Sequence, residues 1–133
     1  MNNNVKIFGL VIGLLILGVI ATVLLRGGAN GPEGPGKYDE FATCLKDKGA
    51  IFYGAFWCPH CQAQKKLFGS SAKLLPYVEC STADGSAQTQ ICIDKNVASY
   101  PTWEFADGTR LNGEISLETL SEKTGCLLPV DIN

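Results

Sequence analysis

The chain has 133 residues, with 11 basic and 13 acidic side chains and a formal charge of −2. That length suits one compact domain, since domains commonly need about 100 to 150 residues to bury a core, and it argues against a two-domain soluble enzyme. Lys6 and Arg26 are two of the basic residues, so the segment after Arg26 holds nine against 13 acidic ones, a balance of about −4 that argues against nucleic acid as a partner.

Residues 1–6 form a short N-terminus ahead of 7–25, a run without a charge that only Gly9, Gly13, Gly18 and Thr22 interrupt. As a helix rising about 1.5 Å per residue, it nearly matches the ~30 Å hydrocarbon core of a bilayer. It is expected to be a retained transmembrane anchor, because a signal peptide has an apolar stretch of only about 7 to 15 residues. The small residues Gly27, Gly28 and Ala29 would nevertheless suit a cleavage site. Gly9 and Gly13 have the spacing that pairs membrane helices, but apolar helices are rich in glycine anyway. Residues 26–37, dominated by Gly, Pro, Ala and Asn, read as a flexible linker.

The folded domain is expected over 38–126, with 127–133 as a tail. Tyr38, Phe41, Ala42 and Leu45 recur at helical spacing up to Gly49, and 50–56 reads as a buried strand. Next come a helix from near Cys58 to about Phe68, a short strand over 77–80 and a helix over 86–96. Residues 102–106 and 109–111 form a hairpin turning at Asp107 and Gly108. A last helix over 117–124 has Ser116 as N-cap and Gly125 as its stop. This order predicts an α/β class with a central mixed sheet of about four strands and helices on both faces.

Six cysteines (Cys44, Cys58, Cys61, Cys80, Cys92 and Cys126) are many for a reducing cytosol and fit an oxidising, extracytoplasmic compartment. Basic residues lie on both sides of the apolar run and do not orient it. The cysteines therefore place the N-terminus in the cytoplasm and the domain outside, periplasmic or at the cell surface, on a single-pass anchor in the cell membrane. Cys58-Pro59-His60-Cys61 puts two thiols one helical turn apart, between a strand and a helix. Unpaired N–H groups and the positive end of the helix dipole would favour Cys58 as a thiolate, the species that attacks a disulfide or leaves from one. Pro59 lacks an N–H and suits the first turn. His60, the single histidine, adds positive charge when protonated, or is simply a solvated turn residue.

Trp57-Cys58-Pro59-His60-Cys61 followed by Tyr100-Pro101-Thr102 resembles the thioredoxin superfamily. With Tyr53-Gly54-Ala55-Phe56 and Trp103-Glu104-Phe105, it looks closest to the thioredoxin-like domain attached to bacterial vitamin K epoxide reductase homologues. The resemblance runs from about Tyr38 to Cys126 and implies a thioredoxin-like fold. It implies that Cys58 is an exposed nucleophile and Cys61 a buried resolving thiol. It also implies a cis peptide before Pro101, with Trp57, Tyr100 and Pro101 flanking the substrate. Many superfamily members carry a buried carboxylate six residues before the first cysteine, where this chain has Phe52. Proton transfer at Cys61 would then need water or another group, and Glu104 is the candidate. Tyr100 is bulkier than the residue usually found before the cis proline. The quinone-reducing helices of those homologues have no counterpart in this sequence, so electrons are expected to pass to a separate partner.

The remaining cysteines allow several connectivities, since six cysteines give fifteen complete pairings. The favoured set is Cys58 with Cys61, Cys80 with Cys92, and Cys44 with Cys126. The leading functional reading is a membrane-anchored thiol-disulfide oxidoreductase, an oxidase or relay acting on exported cysteine-containing proteins. Its redox centre is the Cys58–Cys61 disulfide, without metal or other cofactor, and its partner a membrane quinone-linked protein such as a vitamin K epoxide reductase homologue. The alternatives are a disulfide reductase or isomerase, a non-catalytic anchored binding domain, and a structural metal module with Cys58, Cys61, Cys80 and Cys92 as ligands.

Overall fold

The computed structural model describes residues 2–26 and 34–130. Most of the expected linker, 27–33, and the last tail residues, 131–133, lie outside the described residues. The chain divides into two units, Met1–Gly34 and Pro35–Asn133. The first holds α1 (Asn3–Arg26), in which Asn3–Thr22 is long and apolar enough to cross a membrane. The Thr22 hydroxyl donates to the carbonyls of Gly18 and Val19 at 3.0 and 2.8 Å, so the polar side chain is satisfied within its own helix.

The second unit contains, in order, α2 (Asp39–Asp47), β1 (Ile51–Gly54), α3 (Pro59–Leu67), a 3₁₀ helix (Gly69–Leu74), β2 (Tyr77–Glu79), α4 (Gln90–Asp94), β3 (Thr102–Glu104), β4 (Arg110–Asn112) and α5 (Leu117–Thr124). The strands form one mixed sheet in the order β2-β1-β3-β4, with β1 parallel to β2 and the other pairs antiparallel. Because side chains alternate along a strand, β1 feeds two cores. Phe52 points to one face, where it stacks on Trp103 at 4.9 Å and meets Phe41 and Leu45 of α2, Cys61 of α3 and Leu120 of α5. Tyr53 points to the other, against Cys80, Cys92 and Val97. Helices therefore cover both faces, and the fold is thioredoxin-like.

Local chemistry explains the boundaries. Ser116 Oγ accepts from the Thr119 N–H, capping α5, and Gly125 ends it at φ 72°, a conformation that glycine adopts without a Cβ penalty. Gly108, at φ 78°, turns the β3–β4 hairpin. The helix expected over 86–96 is shorter than its sequence pattern. Asp84 accepts from the Thr82 hydroxyl and from the backbone N–H and hydroxyl of Ser86, while Ser81 bridges to Gln88. These bonds fold 82–88 into a turn and leave only Gln90–Asp94 as helix, since Asp and Ser compete with the helix for backbone partners. The same bonds hold the Asp84 carboxyl down at about 2, the Thr82 hydroxyl being the largest cause.

Two disulfides close the domain. Cys44 of α2 bonds Cys126 just after α5, across 82 residues, and Cys80 just after β2 bonds Cys92 of α4, across 12. A metal module built on Cys58, Cys61, Cys80 and Cys92 is thereby overturned, because Cys80 and Cys92 are bonded to each other. Among the described residues, no group of three or more His, Cys, Asp and Glu side chains could hold a metal ion.

Candidate active site

Cys58 is the N-cap of α3, extended at φ −76° and ψ 118°, and Pro59 opens the helix where a missing N–H costs nothing. The Cys61 N–H donates to Cys58 Sγ at 3.4 Å, so the sulfur takes up one of the unpaired donors of the first helical turn. Cys58 and Cys61 are both free thiols. Only one turn separates them, and closing that turn into a disulfide is the reversible chemistry this arrangement allows.

The Tyr100–Pro101 peptide is cis, and it brings the Tyr100 carbonyl to 3.8 Å from Cys58 Sγ. Pro101 is buried, and the Tyr100 ring meets Trp57 edge to face at 6.2 Å. Trp57 is itself oriented by an Nε1–H bond to Ser81 Oγ at 2.8 Å. The structure thus gathers Trp57, Cys58, Pro59, Cys61, Tyr100 and Pro101 at one end of the sheet. Cys44 and Cys126 are bonded to each other instead, and Cys80 lies on the wall of a small cavity of about 220 Å³ between Trp57, Tyr100 and the 82–88 turn.

Two expectations need correcting. Cys58 is only 5% exposed against 1% for Cys61, because the Tyr100 segment lies across it; what solvent meets is the apolar rim, Phe56 and Trp57, each about half exposed at 48% and 51%. Glu104 does not face Cys61. It pairs with Ile51 across β1 and β3 and so shares the face of Tyr53, opposite Phe52, Trp103 and Cys61. Its carboxylate is occupied there by the Arg110 guanidinium.

His60 is exposed and reaches away from the cysteines to Glu114, Nδ1 to Oε1 at 2.7 Å. Burial, the largest cause, pushes the Cys61 thiol up to about 12, while Lys65 acts in the opposite direction.

Three further residues shape the site, and none was singled out from the sequence. Gln64 is fully buried and clamps α3 to the segment before α5, donating to the Ile115 carbonyl at 2.9 Å and accepting from its N–H at 2.6 Å. Tyr77 and Glu79, two residues apart on β2, share the face that carries Cys61. Period-two spacing on a predicted strand could have shown that shared face, but only strand pairing shows what they face.

No protein-family model matches the chain. Over 88 residues it is 46% identical to the thiol-disulfide oxidoreductase LTO1 of Arabidopsis thaliana. That stretch is 63% of this chain and 23% of the relative, so the chain spans less than a quarter of the length of the protein it matches.

Gly54 sets the distance between the sheet and α3. A Cβ there would stand 2.9 Å from Cys61 Sγ and 2.9 Å from Tyr77 Cε2. Gly54→Ala is therefore expected to destabilise the domain by about 1 to 3 kcal/mol, the usual cost of overpacking. It should also change the reactivity of Cys61 toward alkylation. A urea titration with parallel iodoacetamide labelling checks both, and an unaltered midpoint would show that the helix withdraws freely.

Proposed function

We propose that this chain is a membrane-anchored thiol-disulfide oxidoreductase. The observation that carries the reading is the placement of Cys58 at the start of α3, one turn from buried Cys61 and 3.8 Å from the carbonyl before a cis proline. The likeness to LTO1, named a thiol-disulfide oxidoreductase, supports it. In this reading Cys58 attacks or is attacked, and Cys61 resolves the mixed disulfide. Pro59 and His60 complete the helix mouth. Trp57, Tyr100 and Pro101 receive an extended segment of the substrate, which the exposed apolar rim suits. Catalysis rests on the two sulfurs, with no cofactor.

The finer resemblance, to the domain attached to bacterial vitamin K epoxide reductase homologues, supports an oxidase or relay that receives electrons from exported proteins and passes them to a quinone-linked membrane partner. An anchor at α1 would keep the domain within reach of such a partner. Two bridged cysteine pairs suit an oxidising compartment and support a domain on the extracytoplasmic side.

The test uses the full chain in membranes. A reduced, unfolded disulfide protein should refold faster with the oxidised chain present, and the domain should resist alkaline extraction while protease reaches it in spheroplasts. Equilibration with glutathione gives the potential, each ~30 mV being about 1.4 kcal/mol. Refolding no faster than with glutathione alone would reject the activity, and a protease-protected domain would reject the orientation.

A further inference from the structure

Closing or opening a bond at Cys61 moves a proton, and the thiol lies in an apolar core with Phe41, Phe52, Trp103 and Leu120. Two polar side chains on its side of the sheet come from β2. Tyr77 and Cys61 flank the same gap, since the Cβ position of Gly54 lies 2.9 Å from both Tyr77 Cε2 and Cys61 Sγ. The Tyr77 hydroxyl donates to Glu79 Oε2 at 2.7 Å. Glu79 Oε1 accepts from the N–H groups of Phe56 at 3.2 Å and Ser81 at 2.9 Å, which fixes the carboxylate beside the loop leading into Cys58. Lys65, one turn beyond Cys61, lays its ammonium 3.3 Å from the centre of the Tyr77 ring. The titratable groups near Cys61 thus include Cys58 and Lys65 from α3 and Tyr77 from β2, with Glu79 bonded behind Tyr77, while Tyr38 and Tyr100 border the same core. Phe41, Trp103 and Leu120, which share this core from α2, β3 and α5, carry no charge.

We propose that Glu79, acting through the Tyr77 hydroxyl, is the proton acceptor and donor for Cys61. The inference rests on the redox reading of the Cys58–Cys61 pair. When the mixed disulfide resolves, Cys61 sulfur bonds Cys58 sulfur and the bond from Cys58 to the substrate sulfur breaks. The substrate leaves as a thiolate with the electron pair. The Cys61 proton passes, through one bridging water, to the Tyr77 oxygen as the Tyr77 proton passes to Glu79. In the oxidising direction Cys61 leaves as the thiolate, and the same protons return. Burial first, and then the bond to Glu79, raise the Tyr77 hydroxyl above its usual range, so it keeps a proton at working pH and relays without storing charge. Glu79 acts through Tyr77 and is a positioning residue of the site.

The experiment follows the reduced full chain in detergent with the chromogenic disulfide dithiobis(nitrobenzoate). One thionitrobenzoate is released as the adduct forms on Cys58, and a second as Cys61 resolves it. In the natural chain the second release should rise by much less than tenfold per pH unit, because a base held in place takes the Cys61 proton ahead of hydroxide. Glu79→Gln and Tyr77→Phe should each slow it roughly a hundredfold at neutral pH. Each should also make it rise about tenfold per pH unit, as hydroxide takes over, and the double variant should match either single one. Glu104→Gln, on the opposite face, should leave the profile unchanged.

Variants that keep the natural rate and profile would overturn the inference, as would a loss of the same size at every pH, which marks a structural effect. Failure of the natural chain to release the second thionitrobenzoate would overturn the redox reading itself. Normal first release in the variants shows that Cys58 and the fold are intact.

Discussion

Cys61→Ser should accumulate the chain in mixed disulfides with its substrates, while Cys58→Ser should bring exchange down to the uncatalysed background. Cys58 is the N-cap of α3, beside the Tyr100 carbonyl and the exposed Phe56 and Trp57, where an extended peptide can reach. Cys61 lies a turn deeper, 1% exposed and packed against Gly54 and Tyr77, so it meets only a sulfur already attached to Cys58. A serine oxygen at position 61 cannot displace the substrate thiolate, and the intermediate persists. Loss of Cys58 removes the proposed nucleophile, with an expected effect of roughly a thousandfold or more by comparison with other covalent catalysts. Non-reducing gels and intact mass of the captured species measure the trapping, and stopped-flow exchange measures the rate. Equal trapping by the two variants would sink this division of labour.

The second large effect concerns stability. The Cys44–Cys126 bridge spans 82 residues and joins α2 to the segment after α5, whereas Cys80–Cys92 spans 12. Loop-closure entropy grows with the logarithm of that span. Replacing both Cys44 and Cys126 with alanine should therefore cost about 4.5 kcal/mol, and replacing both Cys80 and Cys92 about 3 kcal/mol. Small domains are stable by only about 5 to 15 kcal/mol, so the first pair of substitutions removes a large share of the total. Urea midpoints of the full chain in detergent, at constant slope, give the two values. A larger loss from the short bridge would show that local packing around Cys92 outweighs loop closure.

Much of the fold was legible because its signals are local. Ser116 and Gly125 bound α5 through caps that depend on nearest neighbours, and the Asp107 and Gly108 turn sets the β3–β4 hairpin in the same way. The α4 boundary is not legible in the sequence, because Asp84 draws Thr82 and Ser86 into a turn, a competition between side chain and backbone that helical periodicity does not register. Glu104 is the wrong partner for Cys61, because sequence distance says nothing about which face of the sheet a residue occupies. Its register opposite Ile51 puts it on the Tyr53 side, against Arg110.

By itself the sequence determined the elements and their order, an apolar run long enough for a bilayer, and a pair of thiols one turn apart at a helix start. These follow from spacing, caps and composition, which act within a few residues along the chain. Only the tertiary structure decided what surrounds the pair. It brought the cis Pro101 segment to Cys58 from 42 residues away, and it turned His60 toward Glu114, 54 residues on. It also set Tyr77 and Glu79 on the Cys61 side of the sheet, because β2 pairs parallel with β1 in a register that places Tyr77 beside Phe52 and Glu79 beside Gly54. Strand register and sheet face depend on contacts between distant segments, and a one-residue slip would have sent the same side chains to the opposite core.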